Sequence, residues 1–556
     1  MRKHRRVPSA VPLVLGVALV LSLAGCGGGG GGAERTGGSA AAGATATGAP
    51  GEPARGGTVT VVVGHDVRTF IDWFAVSTID LEMTGQVFRP LAEHDAATDE
   101  LVPALAESWS LEDGGRVIEF TLRDDAAWED GTPVTSRDVA FTHRMQTDAE
   151  VDWVRRGDKR RIARVETPDD RTARFVLDAP YVDGLYDAAL GFIYPAHLLE
   201  GMSPAELAGS EFAKRPVGCG PFRLSQRQTD IGLEFTASDT YYGGRSHLDR
   251  LVVRVNADPK TRAILFEQGD VDLLRMAGTE EFDRMAGDER FRGFEVPYRT
   301  FLYVTWNVEQ PELAESRVRR ALAMALDRER MRGLVLKGHG ALCDGPVAPG
   351  SWAYVAGLPV PAFDPDAASA LLDEAGWKDG DADGVREKDG RPLSFTLAFA
   401  GRGGVFQDTA TLIRTQLESI GVEVKAQRRE PAVFFDELDE GRFHAVLLNE
   451  TQADKVDLAA YGHSREIGGG TNTARWFHPE FDRACDEAGR AATREQALPR
   501  WRRAQEVMAE GQPYTFLYYR PRMHLVSARV RGVEIGPRGL FANVSDWWIS
   551  LEERRR

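Results

Sequence analysis

The sequence predicts an α/β fold with at least two lobes, and three observations support this fold class. The chain has 556 residues, whereas one hydrophobic core rarely serves more than about 250–300 residues. Its mean hydropathy is −0.32, and beyond the N-terminal segment no apolar run reaches the roughly 18 residues of a membrane helix. Strand and helix patterns alternate between residues 393 and 448, which is typical of a parallel α/β sheet.

The N-terminal segment has the pattern of a secretory signal followed by a tether. Basic residues precede an apolar run at 11–23, which is too short to span a bilayer. The run ends in the sequence LAGC, which resembles the bacterial lipobox, and this resemblance implies acylation of Cys26. We therefore predict a lipoprotein signal peptide over 1–26. Residues 27–57 have no large apolar side chain, which predicts a flexible tether.

Charge and cysteine content limit the partners and the crosslinks. The net charge of −16 argues against nucleic acid, and against an electrostatic hold on anionic lipid. With Cys26 acylated, three cysteines remain, so at most one internal disulfide can form. Cys485 shares an apolar helical face with Phe481 and is expected to be a buried thiol. Cys219 and Cys343 lie in Gly/Pro-rich loops and are the possible disulfide pair.

The apolar patterns place the following elements along the chain. Strands are predicted at 58–63, 116–123, 251–255, 393–399, 422–426, 443–448 and 514–519. Helices are predicted at 409–420, 433–440, 479–490 and 495–508, and one more begins at Asp364-Pro365 and ends at Gly376. The βαβαβ run at 393–448 predicts a parallel sheet, whose ligands bind beyond the carboxyl ends of the strands. The residues after Leu448 are therefore candidates for a binding site.

Recognisable catalytic and cofactor motifs are absent from the sequence. There is no nucleophile elbow, zinc-protease motif, phosphate loop or dinucleotide fingerprint, and no two histidines are four residues apart. We therefore predict a protein that is not an enzyme and needs no cofactor or metal, with a secreted hydrolase as an alternative. Asp379, Asp381 and Asp383 begin a pattern like a calcium loop, but Gly390 stands where the bidentate Glu is expected. An Asp/Gly-rich turn explains the same residues, and Glu387 is the only substitute ligand.

Many stretches in one order resemble a single family, the solute-binding lipoproteins of ATP-driven peptide importers (the peptide/opine/nickel binding family). The matching stretches are PALAESW (103–109), WEDGTPVT (128–135), VGCGPF (217–222), GDVDLL (269–274), RVRRA (317–321), ALDR (325–328), GPVAPGSW (345–352), GPRGLF (536–541) and DWW (546–548). Cys219 replaces the Thr that is usual in the third stretch. The matches extend over nearly all of the chain after the tether.

The resemblance implies a fold and a division into lobes. It implies the two-lobe periplasmic-binding-protein fold, type II-like, with an extra subdomain in the first lobe. We place lobe I at 58–258, with the extra subdomain at about 95–205, lobe II at 259–512, and a return to lobe I at 513–556. The two chain crossings are then expected near 255–261 and near 513–519.

The resemblance also implies a function and a set of partners. It implies a monomeric receptor in the cell envelope that captures peptides or peptide-like solutes and delivers them to an ABC permease in the inner membrane. The receptor would touch the membrane only through its lipid anchor. Relatives also carry opines, nickel complexes, glutathione, haem or sugars, and these stay alternatives. A further alternative is a tethered partner that presents its ligand to a sensor.

The candidate site residues come from this resemblance and from the strand pattern. In peptide-binding relatives, an acidic residue just after the strand matching 443–448 holds the peptide's α-ammonium. Here Thr451 occupies the anchor position, with Glu450 beside it and Asp454 three residues further on. Tryptophans are expected to line the side-chain pockets. The predicted ligand-binding residues are Trp73, Trp306, Asn307, Trp352, Asn449, Glu450 and Asp454.

Overall fold

The computed structural model describes residues 53–95, 100–296, 299–401, 404–452, 455–468, 470–536 and 539–554. Cys26 and Asp454 therefore lie outside the described residues. Within these ranges, no helix is both long enough and apolar enough to cross a membrane.

Strands and helices are interspersed along the whole of the described chain. The strands are β1 (Thr58–Val63), β2 (Ala92–His94), β3 (Leu101–Pro103), β4 (Ala106–Glu112), β5 (Val117–Leu122), β6 (Ile162–Asp169), β7 (Thr172–Leu177), β8 (Phe222–Gln228), β9 (Gly232–Ala237), β10 (Arg250–Val255), β11 (Leu273–Leu274), β12 (Phe291–Val296), β13 (Thr300–Trp306), β14 (Ala341–Leu342), β15 (Glu387–Lys388), β16 (Arg391–Pro392), β17 (Ser394–Phe399), β18 (Glu423–Arg428), β19 (Ala445–Thr451), β20 (Tyr514–Tyr519), β21 (Arg522–Ser527), β22 (Val530–Arg531) and β23 (Trp548–Ile549). The α-helices are α1 (Thr78–Val87), α2 (Ser136–Thr147), α3 (Gly184–Ala189), α4 (Ala196–Leu199), α5 (Pro204–Gly209), α6 (Pro259–Glu267), α7 (Thr279–Ala286), α8 (Ser316–Met324), α9 (Arg328–Val335), α10 (Pro365–Glu374), α11 (Gly404–Glu418), α12 (Pro431–Asp439), α13 (Ala459–Gly462), α14 (Pro479–Gly489) and α15 (Arg494–Gly511).

The first lobe is built on a seven-stranded mixed sheet in the order β12-β21-β11-β1-β10-β9-β8. The central strand β1 is a run of apolar residues because both of its faces are covered. Val59 and Val61 belong to the large core on one face, whereas Val62 packs with α6 and α7 on the other. Strand β1 pairs in parallel with both β10 and β11.

A separate four-stranded antiparallel sheet, β4-β5-β7-β6, lies inside the range predicted for the extra subdomain. Strand β5 shows the expected alternation, with Ile118, Phe120 and Leu122 buried. These side chains join the large core of the first lobe, so the subdomain and the first sheet share one hydrophobic core.

The second lobe contains a six-stranded sheet in the order β14-β20-β13-β19-β17-β18. The predicted parallel arrangement is confirmed, because β17 pairs in parallel with β18 and with β19. One face carries what we call the inner cluster, which includes Tyr303, Leu448, Tyr461, Tyr514 and Phe516. The opposite face carries the outer cluster, which includes Trp306, Phe395, Leu397, Leu417 and Tyr518.

The strand arrangement differs from the predicted lobe boundaries. Strands β11 and β12 belong to the sheet of the first lobe, although the prediction places residues 259–296 in lobe II. Strand β20 belongs to the sheet of the second lobe, although the prediction places 513–519 in the return. The chain therefore passes between the two sheets after β12 and again between β20 and β21. Pairing between strands far apart in sequence sets these crossings, and local patterns do not report it.

The possible disulfide between Cys219 and Cys343 is not formed, which corrects that prediction. Cys219, Cys343 and Cys485 are all free and buried. Cys219 packs in the large core of the first lobe, whereas Cys343 packs in the inner cluster of the second. Burial raises the pKa of each of these two thiols to about 12, so both are inert side chains of their own cores.

Candidate functional site

Glu450 places a carboxylate on the inner face of the second sheet. Strand β19 runs to Thr451 because its antiparallel pairing with β13 continues to Thr300, so Glu450 lies inside the strand and opposite Phe301. It follows Val446 and Leu448 at a spacing of two residues, and its side chain therefore points to the inner cluster. The sequence predicts that this strand ends at Leu448, and the extra residues turn a predicted loop acid into a strand residue.

Two tyrosines hold the Glu450 carboxylate. The Tyr461 hydroxyl donates to Oε1 at 2.6 Å, and the Tyr303 hydroxyl donates to Oε2 at 3.2 Å. The Tyr514 hydroxyl donates to the main-chain oxygen of Tyr461 at 2.6 Å, and this bond fixes α13 against the sheet. Tyr303 and Tyr461 are also within about 6 Å of the Tyr514 ring, with centroid distances of 5.7 and 6.0 Å.

This carboxylate lacks a cationic partner among the described residues. None of the ion pairs in that part of the chain involves Glu450. Burial raises the pKa of Glu450, and the two tyrosine hydrogen bonds oppose that rise without cancelling it. A desolvated carboxylate with spare lone pairs is a binding site for a cation that can donate hydrogen bonds.

A second group of side chains surrounds Trp352 at the same face of the lobe. Trp352 is half-buried against the inner cluster, and the Arg494 guanidinium lies 5.2 Å from the centre of its ring. The indole Nε1 of Trp352 and the hydroxyl of Ser351 are buried, and no hydrogen-bond partner for either lies among the described residues. Two donors without protein partners next to an aromatic ring suit a ligand with carbonyl groups.

The two lobes meet at Lys455. Its Nζ lies 2.7 Å from Asp158 and 2.7 Å from Asp187, which both belong to the extra subdomain. Asp187 is nearly inaccessible, and its other oxygen accepts a hydrogen bond from Tyr181 at 2.6 Å. Burial lowers the pKa of Lys455, but the two carboxylates outweigh burial and leave this pKa raised.

Apolar and acidic residues of the subdomain extend this contact. Val182 packs against the inner cluster of the second lobe. Burial raises the pKa of the neighbouring Asp183 to about 7, against the influence of Lys455 and Arg494. The inner cluster therefore faces the first lobe, and the Trp352 group lies beside the interlobe contact.

Trp73 lies in the large core of the first lobe. Its ring meets the ring of Tyr194 edge-on, with a centroid distance of 4.8 Å. Its Nε1 is buried, and no hydrogen-bond partner for it lies within the described ranges. Asp72 beside it accepts a hydrogen bond from Tyr194 at 2.9 Å, and burial raises the pKa of Asp72 to about 6. Trp73 and Trp352 therefore share one feature, a buried N–H donor that has no partner among the described residues.

The structure corrects the placement of Trp306 and Asn307 in the ligand site. Trp306 is fully buried in the outer cluster, on the side of the sheet away from the first lobe, and its Nε1 donates to Thr515 Oγ1 at 2.9 Å. Asn307 is also fully buried, and its amide donates to the carbonyls of Gly441 and Phe443 at 3.1 and 2.8 Å. Both residues hold the second lobe together and do not line the interlobe face.

Asn449 and Thr451, the residues on either side of Glu450, do not point to the inner face. Asn449 is exposed and lies opposite Leu302, whose side chain belongs to the outer cluster. Thr451 is exposed, and its hydroxyl lies 2.6 Å from the hydroxyl of Thr300. Strand alternation therefore directs Glu450, and neither of its neighbours, to the inner face.

The calcium-like segment is a turn between α10 and β15, in which Asp379 and Asp381 are exposed and Glu387 is half-buried. Carboxylate oxygens of Asp379, Asp381 and Glu387 lie within 4.8 Å of one another. Backbone N–H groups of the same turn already donate to these carboxylates, including Gly380 to Glu387 at 2.7 Å and Gly384 to Asp379 at 3.1 Å. These hydrogen bonds are those of an Asp/Gly-rich turn.

Sequence reasoning did not find several residues that build the site. Tyr303 and Tyr461 could not be linked to Glu450, because they lie 147 and 11 positions away from it. No recognisable sequence motif includes Lys455, Asp158 or Asp187. The only sequence signal for Tyr303 is its place in an apolar strand, and β13 is buried on both faces.

A family model and known relatives match the chain. The model described as bacterial extracellular solute-binding proteins, family 5 middle, matches residues 100–466. The chain is 28% identical over 525 residues to the oligopeptide-binding protein AppA of Bacillus subtilis, covering 92% of this chain and 95% of that protein. It is 27% identical over 488 residues to heme-binding protein A of Haemophilus influenzae, covering 82% and 86%.

A solved structure supports the same relation. The structure of Bacillus subtilis AppA in complex with a nonapeptide matches with a TM-score of 0.68 and 26% identity, covering 90% of this chain and 100% of that one. The family match extends from the extra subdomain through Glu450 and Tyr461. The chain belongs to family 5 of the bacterial extracellular solute-binding proteins.

Proposed function

We propose that this protein captures oligopeptides, or similar solutes bearing an amine, between its two lobes and delivers them to an ABC-type permease. The observation that carries this proposal is the Glu450 carboxylate, which is half-buried on the inner face of the second sheet and, among the described residues, is held by two tyrosine hydroxyls. The likeness to an oligopeptide-binding protein supports the same ligand class.

A ligand ammonium is the natural partner of this carboxylate. An ionised carboxylate taken out of water is unfavourable unless a cation and hydrogen bonds compensate it. Tyr303 and Tyr461 provide hydrogen bonds but no positive charge. The α-ammonium of a peptide would supply the charge and three donors, and each charge-assisted hydrogen bond contributes about 1.5–3 kcal/mol.

The Trp352 group would hold the rest of the peptide. The unpaired donors at Trp352 and Ser351 suit main-chain carbonyls, which every peptide offers whatever its sequence. The indole ring provides an apolar surface for a side chain. The Lys455 bridge to the subdomain would then close the lobes over the ligand, as a hinge motion does in two-lobe receptors.

The ligand proposal is tested by titrating the protein with a mixed peptide library while following tryptophan fluorescence. We expect saturable binding that Glu450→Gln weakens at least tenfold, which is about 1.4 kcal/mol. Glu440→Gln is the matched control, because Glu440 lies in the same lobe, 61% exposed and paired only at the surface with Arg442. A wild-type protein that gives no peptide response contradicts the ligand class. Undiminished affinity of the Glu450→Gln variant contradicts only the anchor.

Attachment to the cell envelope is part of the proposal. The lipobox-like end of the signal segment supports acylation of Cys26, and the Gly-rich stretch after it supports a tether that holds a monomeric receptor near its permease. Replacing Cys26 with Ser is expected to move the protein from the membrane fraction to the soluble fraction. Continued membrane association of that variant would contradict the lipid anchor.

A further inference from the structure

His339 joins the two lobes through side chains that belong to neither the Glu450 group nor the Trp352 group. It lies in the second lobe, between α9 and β14. Its Nδ1 is 2.8 Å from Oε2 of Glu295 on β12, and its Nε2 is 2.8 Å from Oδ1 of Asp283 on α7. Both carboxylates belong to the first lobe, so one imidazole ring connects two elements of the opposite lobe.

The hydrogen-bond chemistry fixes the charge of this ring. A neutral imidazole has one N–H donor and one acceptor nitrogen, and an ionised carboxylate can only accept. Two carboxylates at hydrogen-bond distance from the two nitrogens therefore require both nitrogens to be protonated. The observed geometry is that of an imidazolium, and it is lost when the ring becomes neutral.

The surrounding contacts keep the ring in place. The N–H of Gly340 donates to the other oxygen of Glu295 at 2.7 Å, and the Phe282 ring meets the imidazole edge-on at 5.7 Å. Gly340 has φ of 72°, and a side chain there would collide with the carbonyl oxygen of Tyr519. Tyr519 is the last residue of β20, so the His339 loop is packed beside one of the two chain crossings.

The other charged groups near the ring do not replace it. The Arg332 guanidinium donates to the carbonyls of residues 338, 339 and 340, so it braces the loop within its own lobe. Lys337 Nζ lies 3.4 Å from Glu280 of α7, and both side chains are at least half exposed. Such an exposed pair contributes little to the contact between the lobes.

We propose that His339, Glu295 and Asp283 form a pH-sensitive clamp that favours the lobe arrangement seen here while the imidazole is protonated. The clamp would relax as the ring loses its proton, so lobe closure would weaken with rising pH. The inference goes beyond the proposed ligand, because the clamp residues lie in neither the Glu450 group nor the Trp352 group.

The direction of the pH dependence follows from the pKa of the ring. Burial lowers the pKa of His339, but the hydrogen bonds to Glu295 and Asp283 outweigh burial and leave it raised from 6.5. A raised histidine pKa stabilises the clamped arrangement fully below the ordinary value. The stabilisation is lost as the pH rises through the raised value.

The experiment measures the distance between the lobes without any ligand. Spin labels at Val154→Cys in the extra subdomain and Phe477→Cys in the second lobe occupy exposed positions, and the described native thiols are buried. The full chain carries Cys26→Ser, so that Cys26 is not labelled as well. Double electron–electron resonance is recorded between about pH 5.5 and 8.5, a range that brackets the ordinary histidine pKa. We expect the short-distance population to fall as pH rises, with a midpoint above 6.5.

Matched variants separate the clamp from general effects of pH. His339→Gln keeps a side chain of similar size without a titrating group, and it should abolish the pH-dependent shift. His197→Gln is the control, because His197 also contacts a carboxylate, Asp130 at 2.7 Å, but within the first lobe. That variant should show the same change of interlobe distance with pH as the wild type. A wild-type distance that does not change with pH, or a His339→Gln variant that still shifts, would overturn the proposal. Because no peptide is present, a failure of the ligand proposal would leave this result unchanged.

Discussion

At the scale of single residues, Glu450, the proposed ligand anchor, shows how a buried charge can oppose stability. Burial raises its pKa from 4.5, so between 4.5 and the raised value the folded protein binds more protons than the unfolded chain. The free energy of unfolding therefore falls as pH rises through that window, and the full penalty applies above it. The ionised carboxylate is therefore unfavourable in the ligand-free protein, and the proposed ligand ammonium would compensate it.

This reasoning predicts opposite effects of one substitution on stability and on binding. Glu450→Gln removes the buried charge, keeps the side-chain size and can still bond to Tyr303 and Tyr461. We expect the ligand-free variant to melt about 1–2 °C above wild type at neutral pH, while its peptide affinity falls. Differential scanning calorimetry at pH 7 and at pH 4 measures the shift, and the difference should shrink at the lower pH. A variant that melts below wild type at neutral pH would contradict the assigned penalty.

The residue scale is also where sequence reasoning was least complete. Glu450 could be reached, because an acid beside a strand end is expected from the family resemblance. Trp306 was misplaced because β13 is buried on both faces, and an apolar run gives no sign of which face a given side chain takes. Its partner Thr515 is 209 residues away, so no local pattern could report that hydrogen bond.

At the scale of elements, local patterns predicted most strands and helices but not their ends. Strands β1 and β20 have the predicted bounds, because apolar or aromatic runs between turn residues define them. Strand β19 is longer at its carboxyl end because it pairs with β13, which precedes it by more than a hundred residues. The lobe boundaries differed for the same reason, since β11 and β12 join a sheet that begins at residue 58.

Asn307 gives a prediction about how the elements of the second lobe are joined. Its amide ties the end of β13 to the turn between α12 and β19, and its carbonyl oxygen accepts from Glu309 N–H at 3.1 Å. Asn307→Ala leaves the buried carbonyl of Phe443 and the half-buried carbonyl of Gly441 without this donor, and we expect a loss of about 1–3 kcal/mol in unfolding free energy. Asn449→Ala, at an exposed position, is the control and should cost less than about 0.5 kcal/mol. Chemical denaturation measures both, and a near-neutral Asn307→Ala would show that the residue is not structural.

At the scale of the whole molecule, polar side chains join the two lobes. Lys455 joins two carboxylates of the extra subdomain, one of which is almost inaccessible. Removing one partner of such a buried group leaves charges without compensation, which costs about 3–5 kcal/mol in comparable pairs. The contact exists only when the lobes are together. Removing it therefore destabilises the closed state relative to the open state.

This contact predicts the kinetics of ligand release. Lys455→Met should raise the dissociation rate of a bound peptide at least about tenfold, because most changes in affinity appear in the off-rate. Lys425→Met is the matched control in the same lobe, where Lys425 is 55% exposed and pairs only with Glu423. Stopped-flow displacement with a labelled peptide measures the rates. Equal rates for the two variants would mean that the Lys455 bridge does not hold the lobes closed.

The central claim is that the Glu450 carboxylate receives the ammonium of a captured peptide between the lobes. Isothermal titration with one peptide, as the free amine and as its N-acetylated form, tests this claim on wild type and on Glu450→Gln. We predict that acetylation weakens binding to wild type at least tenfold, about 1.4 kcal/mol, and has almost no further effect on the variant. An equal loss on acetylation in both proteins, or no loss in wild type, would contradict the claim.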